Sequence, residues 1–356
     1  LTMENRFIFD YGFSHIQDKA FKGLCDKQAY SLSNGIDYTS VAFYIAPLIN
    51  ACMRTGTIDE KLIMYKMFLH PELEVESNKR GAKGTIVNII EECCRILTNV
   101  KSRQQKLIEK NIEIFRGGIE ENGLNDNNII VIRLTDDDIF DSELNGLIAM
   151  KLSSEYHKPC LVLRDGLDEA SKGSMRNPNG SPVENLKGLI ANSPYTTFVA
   201  GHKNAAGLGI KTDAIDKFVD WFNKETDNLS FTENSYEVNF ELDQYDKYLE
   251  DLCWDIANNN ELWGGDNPQP IISLKNIHIN TSDCSFMGTL NDTIKINING
   301  VNCIIFKNPN LAIDWSNSNK EIMNIFDTIG ETKTIFKNKD PLDHRFLPEH
   351  LPHRSE

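Results

Sequence analysis

Lys172-Gly173-Ser174-Met175-Arg176-Asn177 and Ala200-Gly201-His202-Lys203-Asn204-Ala205-Ala206-Gly207 decide how this chain is read. Each sets glycine beside polar or cationic side chains, and each lies between apolar, strand-like runs. Glycine lets another backbone, or a phosphate, approach closely. Ser174 and Arg176 supply a hydroxyl and a planar fork of donors, the groups that grip phosphate oxygens. His202 adds an imidazole able to hydrogen-bond to, or protonate, a phosphoryl oxygen near neutral pH. Taken singly, Gly-Ser-x-Arg is a common turn and a lone histidine a common structural residue. The pairing of the motifs, their order and their flanking strands point to a ligand site.

Working outward, residues 126–228 alternate strands and helices. Ile129 to Ile132 and Cys160 to Leu163 read as buried strands, and Leu144 to Tyr156 and Val183 to Ala191 as helices. Thr196 to Ala200 and Ala206 to Lys211 read as strands flanking a turn at His202. Ile215, Phe218, Val219 and Phe222 mark an amphipathic helix that Thr212 or Asp213 can cap. The expectation is an α/β domain with both motifs on connecting loops.

Residues 1–80 read as helical, with Leu62, Ile63, Tyr65, Met67, Phe68 and Leu69 in helical rhythm behind Asp59 and Glu60. Residues 81–125 hold the longest periodic segment, a connecting helix from Ile86 through Phe115 that Gly117-Gly118 is expected to end. Lys101 and Lys106 on it read as an ordinary solvated face. Residues 229–338 change to short strands of period two, which suits a small β-barrel of the oligonucleotide-binding kind. Phe286, Phe306 and Trp263 there are candidates either to stack on bases or to fill the barrel. Residues 339–356 read as a flexible, partner-seeking tail.

A chain of 356 residues has room for two or three domains with their own cores. Its net charge of −15 opposes long-range attraction for nucleic acid, so any DNA site must be a local basic groove on an acidic body. The eight cysteines form no Cys-x-x-Cys pair and mostly sit in apolar runs. They read as buried thiols of a reducing cytoplasm rather than as zinc ligands or disulfides. No apolar run reaches membrane-spanning length, and the first residues do not read as a signal peptide.

The two motifs resemble those of the RecJ-like members of the DHH phosphoesterase superfamily. These single-strand-specific exonucleases carry Gly-Ser-x-Arg and then Gly-His-x-x-Ala-Ala-Gly in a DHH-associated domain. Pro47-Leu48-Ile49-Asn50-Ala51-Cys52-Met53-Arg54 is similar to the family's Pro-x-x-Asn-Ala-x-Gly-Arg element, with Met53 in place of the usual glycine. Asn99 and Arg103 match an Asn-x-x-x-Arg pair on a long helix. Met3-Glu4-Asn5-Arg6 with Tyr11-Gly12 looks like the segment just after the catalytic domain's last metal-binding motif. Gly146-Leu147-Ile148-Ala149 with Tyr156-His157-Lys158-Pro159 matches a helix-then-strand element. Gly264-Gly265-Asp266-Asn267-Pro268 resembles the loop that opens the family's oligonucleotide-binding domain, with Asp266 replacing a glycine.

The resemblance implies an α/β fold plus a small all-β domain. A helical remnant of a DHH catalytic domain would join, through the long helix, a DHH-associated domain followed by an oligonucleotide-binding barrel. It implies a catalytic contact from His202 to the scissile phosphate, with Gly201 admitting that phosphate. Ser174, Arg176 and Gly173 would hold a terminal phosphate, and Asn50, Arg54 and Arg103 would line the strand's path. The expected partners are single-stranded DNA and either the missing DHH portion or a replication or repair protein, with no membrane. The family's Asp-His-His triplet does not occur; Asp343-His344 lies in the tail, and Asp136-Asp137-Asp138 reads as a solvated loop. Manganese or magnesium is therefore expected on ligands outside this chain. The reading is the C-terminal part of a RecJ-like 5′-to-3′ exonuclease, or one piece of a split one, incomplete and inactive without its DHH domain. The alternatives are a catalytically silent single-strand-binding or docking module, and a DHH-type phosphodiesterase for short oligonucleotides.

Overall fold

The computed structural model describes residues 3–32, 36, 38–135, 141–166, 169–231, 238–243, 245–259, 262–263, 267–275, 283–288, 291, 293–298 and 300–305. Asp136-Asp137-Asp138, Gly264 to Asp266, Phe306, Asp343-His344 and the tail lie outside them. The chain divides into two compact units. Residues 1–124, 132–148 and 162–165 form one, and residues 125–131, 149–161 and 166–356 the other.

The first unit opens with α1 (Met3–Ser14) and α2 (Lys19–Lys27). Next come α3 (Tyr38–Ser40), a π-helical turn (Val41–Ile45), α4 (Ala46–Thr55) and α5 (Ile58–Leu69). Asp18 caps α2 by accepting from the Phe21 amide at 2.6 Å. Thr57 and Glu60 cap α5 reciprocally, each side chain accepting the other's backbone N–H. A short antiparallel pair, β1 (Glu74–Glu76) and β2 (Ile86–Asn88), interrupts the expected helical region. Asn88 then caps α6 (Ile89–Glu121), a helix of 33 residues. Leu24, Ile45, Cys52, Met67, Cys93 and Leu97 meet in its core.

The expected stop at Gly117-Gly118 does not occur. Ile119 is fully buried, and that burial draws the helix on for another turn. The helix ends instead at Asn122, followed by Gly123 at φ 62°, the left-handed residue that commonly closes a helix.

The α/β part contains β3 (Ile130–Leu134), α7 (Asn145–Tyr156), β4 (Cys160–Arg164), β5 (Ala170–Arg176), α8 (Leu186–Ala191), β6 (Thr196–His202), β7 (Ala205–Lys211) and α9 (Ile215–Glu225). Its sheet has the strand order β3-β4-β5-β7-β6. The expectation that the motifs sit on loops is corrected. The first lies almost wholly on β5 and the second spans the ends of β6 and β7 with only Lys203-Asn204 between them as a turn, because Met175, Ala206, Leu208 and Ile210 bury one face of β5 and β7 and draw their small neighbours into the ladder. The expected cap of α9 is also absent: the Thr212 hydroxyl is engaged with that of Ser171 at 3.0 Å, and no side chain caps the helix.

Downstream lie β8 (Phe240–Asp243), α10 (Leu249–Asn258), β9 (Ile272–Lys275), β10 (Cys284–Met287), β11 (Thr293–Ile298) and β12 (Val301–Ile305). β8 and β9 pair in parallel, while β10-β11-β12 form an antiparallel meander over Leu249, Ile294, Ile296 and Ile298. No closed barrel forms among the described residues: the strands make two separate small sheets. Phe286 packs against this core, and the Trp263 indole donates to the Ile256 carbonyl at 2.9 Å. Both are drawn inward, the filling role rather than the stacking one.

Candidate nucleic-acid interface

β7 runs between β5 and β6, antiparallel to both. Side chains alternate across a strand, so burying Met175, Ala206 and Leu208 turns Ser174, Arg176, Ala205 and Gly207 to the opposite face. The register then aligns rows. Arg176 pairs with Ala205, and Ala205 pairs on its other side with His202. Ser174 pairs with Gly207, and Gly207 with Ala200. Arg176 and His202 thus stand across one intervening strand, with backbones about 10 Å apart. Between them the floor is only alanine and glycine, low enough for a phosphate to settle between hydroxyl, guanidinium and imidazole. A methyl group on Gly207 would meet nothing nearer than 3.7 Å, so this floor is open.

Gly201 is required by its backbone. Its φ is 140°, and a β-carbon there would lie 2.7 Å from Ala206 Cα and 2.8 Å from the Ala205 carbonyl oxygen. The two-residue turn Lys203-Asn204 is pinned from both sides. The Asn177 backbone N–H donates to the Asn204 carbonyl at 2.9 Å, and its side-chain amide donates to Asn204 Oδ1 at 3.1 Å and to the Val183 carbonyl at 2.6 Å. Lys187 Nζ donates to the Gly201 carbonyl at 2.9 Å, and the Lys187 N–H to the Lys203 carbonyl at 2.8 Å. Asn177 and Lys187 therefore position the motif. Asn177 stands beside Arg176 in sequence, but nothing in the sequence announces Lys187.

Arg176 Nη1 donates to the Met175 carbonyl at 2.6 Å, which folds the guanidinium back along its own strand. His202 is exposed. β5, β6 and β7 contain no Asp or Glu, whereas they and their turn carry Lys172, Arg176, Lys203 and Lys211. The four cations of these three strands and their turn are therefore balanced by no carboxylate within the same segments.

The remaining predicted residues belong to the other unit. Asn50 and Arg54 lie four apart on α4 and so share a helix face. Arg54 Nη1 donates to the Glu143 carbonyl at 3.3 Å. Arg103, on α6, donates through Nη2 to the Thr55 carbonyl at 3.4 Å, which brings it beside Arg54. Arg103 also forms a two-point ion pair with Glu60, a contact that sequence reading missed. Burial raises the Glu60 pKa, but hydrogen bonds from Arg103 and Thr57 outweigh it and hold the carboxyl below its ordinary value. Among the described residues, no three His, Cys, Asp or Glu side chains converge to hold a metal ion. No described helix is long and apolar enough to cross a membrane.

No family model matches the chain. The fold is similar to RecJ of Thermus thermophilus, solved in complex with Mn2+, at 18% identity and a TM-score of 0.49, over 80% of this chain and 40% of that one. In sequence, the chain is 28% identical over 311 residues to YorK of Bacillus subtilis strain 168, whose name describes an SPbeta prophage-derived single-strand DNA-specific exonuclease. The chain thus resembles RecJ-like single-strand DNA exonucleases. The match takes in 86% of this chain and 54% of YorK, so the chain spans about half the length of that curated relative. Over 34 residues the chain is also 65% identical to ORC1-type DNA replication protein 1 of Methanothermobacter thermautotrophicus, covering 10% of this chain and 9% of that protein.

Proposed function

We propose that this chain is the substrate-gripping, C-terminal part of a RecJ-like 5′-to-3′ single-strand DNA exonuclease. The observation that carries the reading is the register of β5, β7 and β6, which aligns Arg176 with His202 and sets Ser174 one row away over a floor of Ala205 and Gly207. Ser174 and Arg176 hold the terminal phosphate, the hydroxyl as one donor and the guanidinium as a fork. Gly173 and Gly201 keep the strands close beside it, and His202 donates to the scissile phosphate. Asn50, Arg54 and Arg103 line the path of the strand. Residues 229–338 act as an oligonucleotide-binding domain that extends that grip. The manganese or magnesium of such an enzyme would activate water and neutralise phosphate charge. The described residues offer it no donor set, so every step assigned to this chain is binding and orientation.

The test is binding of a single-stranded oligonucleotide with either a 5′-phosphate or a 5′-hydroxyl. The parent chain should prefer the phosphate, and Arg176→Ala should abolish that preference. Arg176→Lys should recover only part of it, because lysine offers a point charge without the planar grip. Equal affinity of the parent for both ends would remove the phosphate-gripping role.

A further inference from the structure

The aligned rows continue beyond Ser174. Two residues further along β5, Lys172 pairs with Gly209, and Gly209 pairs on its other side with Phe198. Three rows therefore share one face, and the third carries a cation and an aromatic ring on either side of a glycine. The Phe198 ring is on this face: a β-carbon added at Gly209 would lie 2.6 Å from its Cε1 and 2.9 Å from its Cδ1. A register shift between Thr196 and Phe198 accounts for the crowding, because the Thr197 hydroxyl also comes within 2.5 Å of that position. Phe198 nevertheless remains 43% exposed, and it stacks on no other aromatic ring among the described residues. The open face of the sheet thus offers an exposed ring with a lysine across one glycine from it.

We infer that Phe198 is a base-stacking platform for single-stranded nucleic acid, set beside the phosphate grip so that one of the first two bases from the anchored end packs on its ring. The inference rests on the proposed phosphate-gripping role of Ser174 and Arg176. Strand geometry places the Phe198 row about 7 Å beyond the Ser174 row and about 13 Å beyond the Arg176 row. That reach suits the base of a terminal or penultimate nucleotide, while Lys172 across Gly209 faces the backbone charge. Gly209 keeps the floor low enough for the ring to lie over it. A stacking contact of this kind tolerates any base, because every base has a π-face.

The experiment uses the full chain and 5′-phosphorylated oligothymidylate, either intact or with an abasic residue at position 1 or 2, titrated by fluorescence anisotropy. Phe198→Ala should weaken binding of the intact strand by about 5- to 150-fold, and Phe198→Leu by most of that. An abasic residue at the stacked position should weaken the parent similarly, yet leave Phe198→Ala unaffected. The salt slope should be unchanged in Phe198→Ala, since no phosphate contact is lost, whereas Arg176→Ala should lower the slope and stay sensitive to the abasic site. Parent-like affinity in both Phe198 variants, or undiminished abasic sensitivity in Phe198→Ala, overturns the inference. If the parent ignores the 5′-phosphate but still loses affinity in the Phe198 variants, the stacking platform stands and the phosphate grip falls. Failure of the parent to bind any of the strands overturns both.

Discussion

Arg103 and Glu60 meet in a two-point ion pair, Nη1 to Oε1 at 3.2 Å and Nη2 to Oε2 at 2.8 Å. Glu60 also accepts the Thr57 N–H at 2.8 Å, so one carboxylate both caps α5 and fastens α6 to it. The pair is half-exposed on the arginine side, which places its worth at the upper end of surface pairs, about 1 kcal/mol. Arg103→Ala and Glu60→Gln should each lower stability by about that much, with the double variant clearly less than additive in urea unfolding. Glu60→Gln also removes a negative charge from Arg103. If Arg103 lies on the strand's path, this variant should bind single strands more tightly at low salt. Unchanged affinity would leave Arg103 as a strut alone.

Glu92 sets the acid limit of the same unit. It is buried, accepting from Ser77 Oγ at 2.9 Å, the Asn78 N–H at 2.8 Å and Arg95 Nε at 3.1 Å. Burial alone would raise its pKa, but the hydrogen bonds from Arg95, Asn78 and Ser77 win and bring the carboxyl from 4.5 down to about 2. A pKa depressed in the folded state stabilises above the unfolded value, and that contribution is lost as pH falls toward the folded one. Stability should therefore decline between about pH 4.5 and about pH 2. Glu92→Gln should be destabilised at neutral pH by about 3 kcal/mol, because Arg95 loses its partner, and should show a shallower acid limb. An acid limb identical to the parent's would assign the effect to other carboxylates.

Gly201 is the one motif glycine whose replacement is excluded by both space and backbone. Gly201→Ala should cost about 1–3 kcal/mol through the positive φ and the clash with Ala206. It should also splay β6 from β7, separating His202 from Arg176. Amide exchange should speed up in 196–211 before it does elsewhere, and the preference for a 5′-phosphate should fall. Gly207→Ala, which meets ordinary contacts only, is the control and should fold like the parent. Parent-like exchange in Gly201→Ala would refute the strained-hairpin account.

What could be read in the sequence followed from periodicity and from short motifs. The long helix was legible because Ile89, Cys93, Ile96, Leu97 and Val100 repeat at helical spacing and are all buried. Its end was not, since the burial of Ile119 is a tertiary effect that outweighs the weak helix propensity of two glycines. Ser174, Arg176 and His202 were found by residue type. Their shared face was hidden, because it depends on the pairing of β5 and β6 with β7, and register leaves no local mark when the central residues are Ala and Gly. Phe198 escaped for the same reason: in sequence it is one apolar residue of a strand, and only the bulge beside it and Gly209 opposite bring its ring to the open face. Glu60 was legible as a helix-start residue but not as the partner of Arg103, which lies 43 positions away.

The last prediction concerns chemistry. The chain contains no Asp-His-His triplet and matches 54% of the length of its exonuclease relative YorK. A hard divalent cation needs clustered carboxylates, carbonyls or imidazoles to bind productively. The purified chain should therefore bind single-stranded DNA without releasing nucleotides from it, in manganese or in magnesium. Adding a polypeptide that carries a DHH metal-binding domain should bring about 5′-to-3′ release, and His202→Ala should lower that rate by about 100-fold or more, the usual scale for losing a hydrogen-bond donor that meets developing phosphate charge. Metal-dependent release by the chain alone, abolished in His202→Ala, would show that the active site is complete within these 356 residues and that its ligands include residues the proposal leaves out.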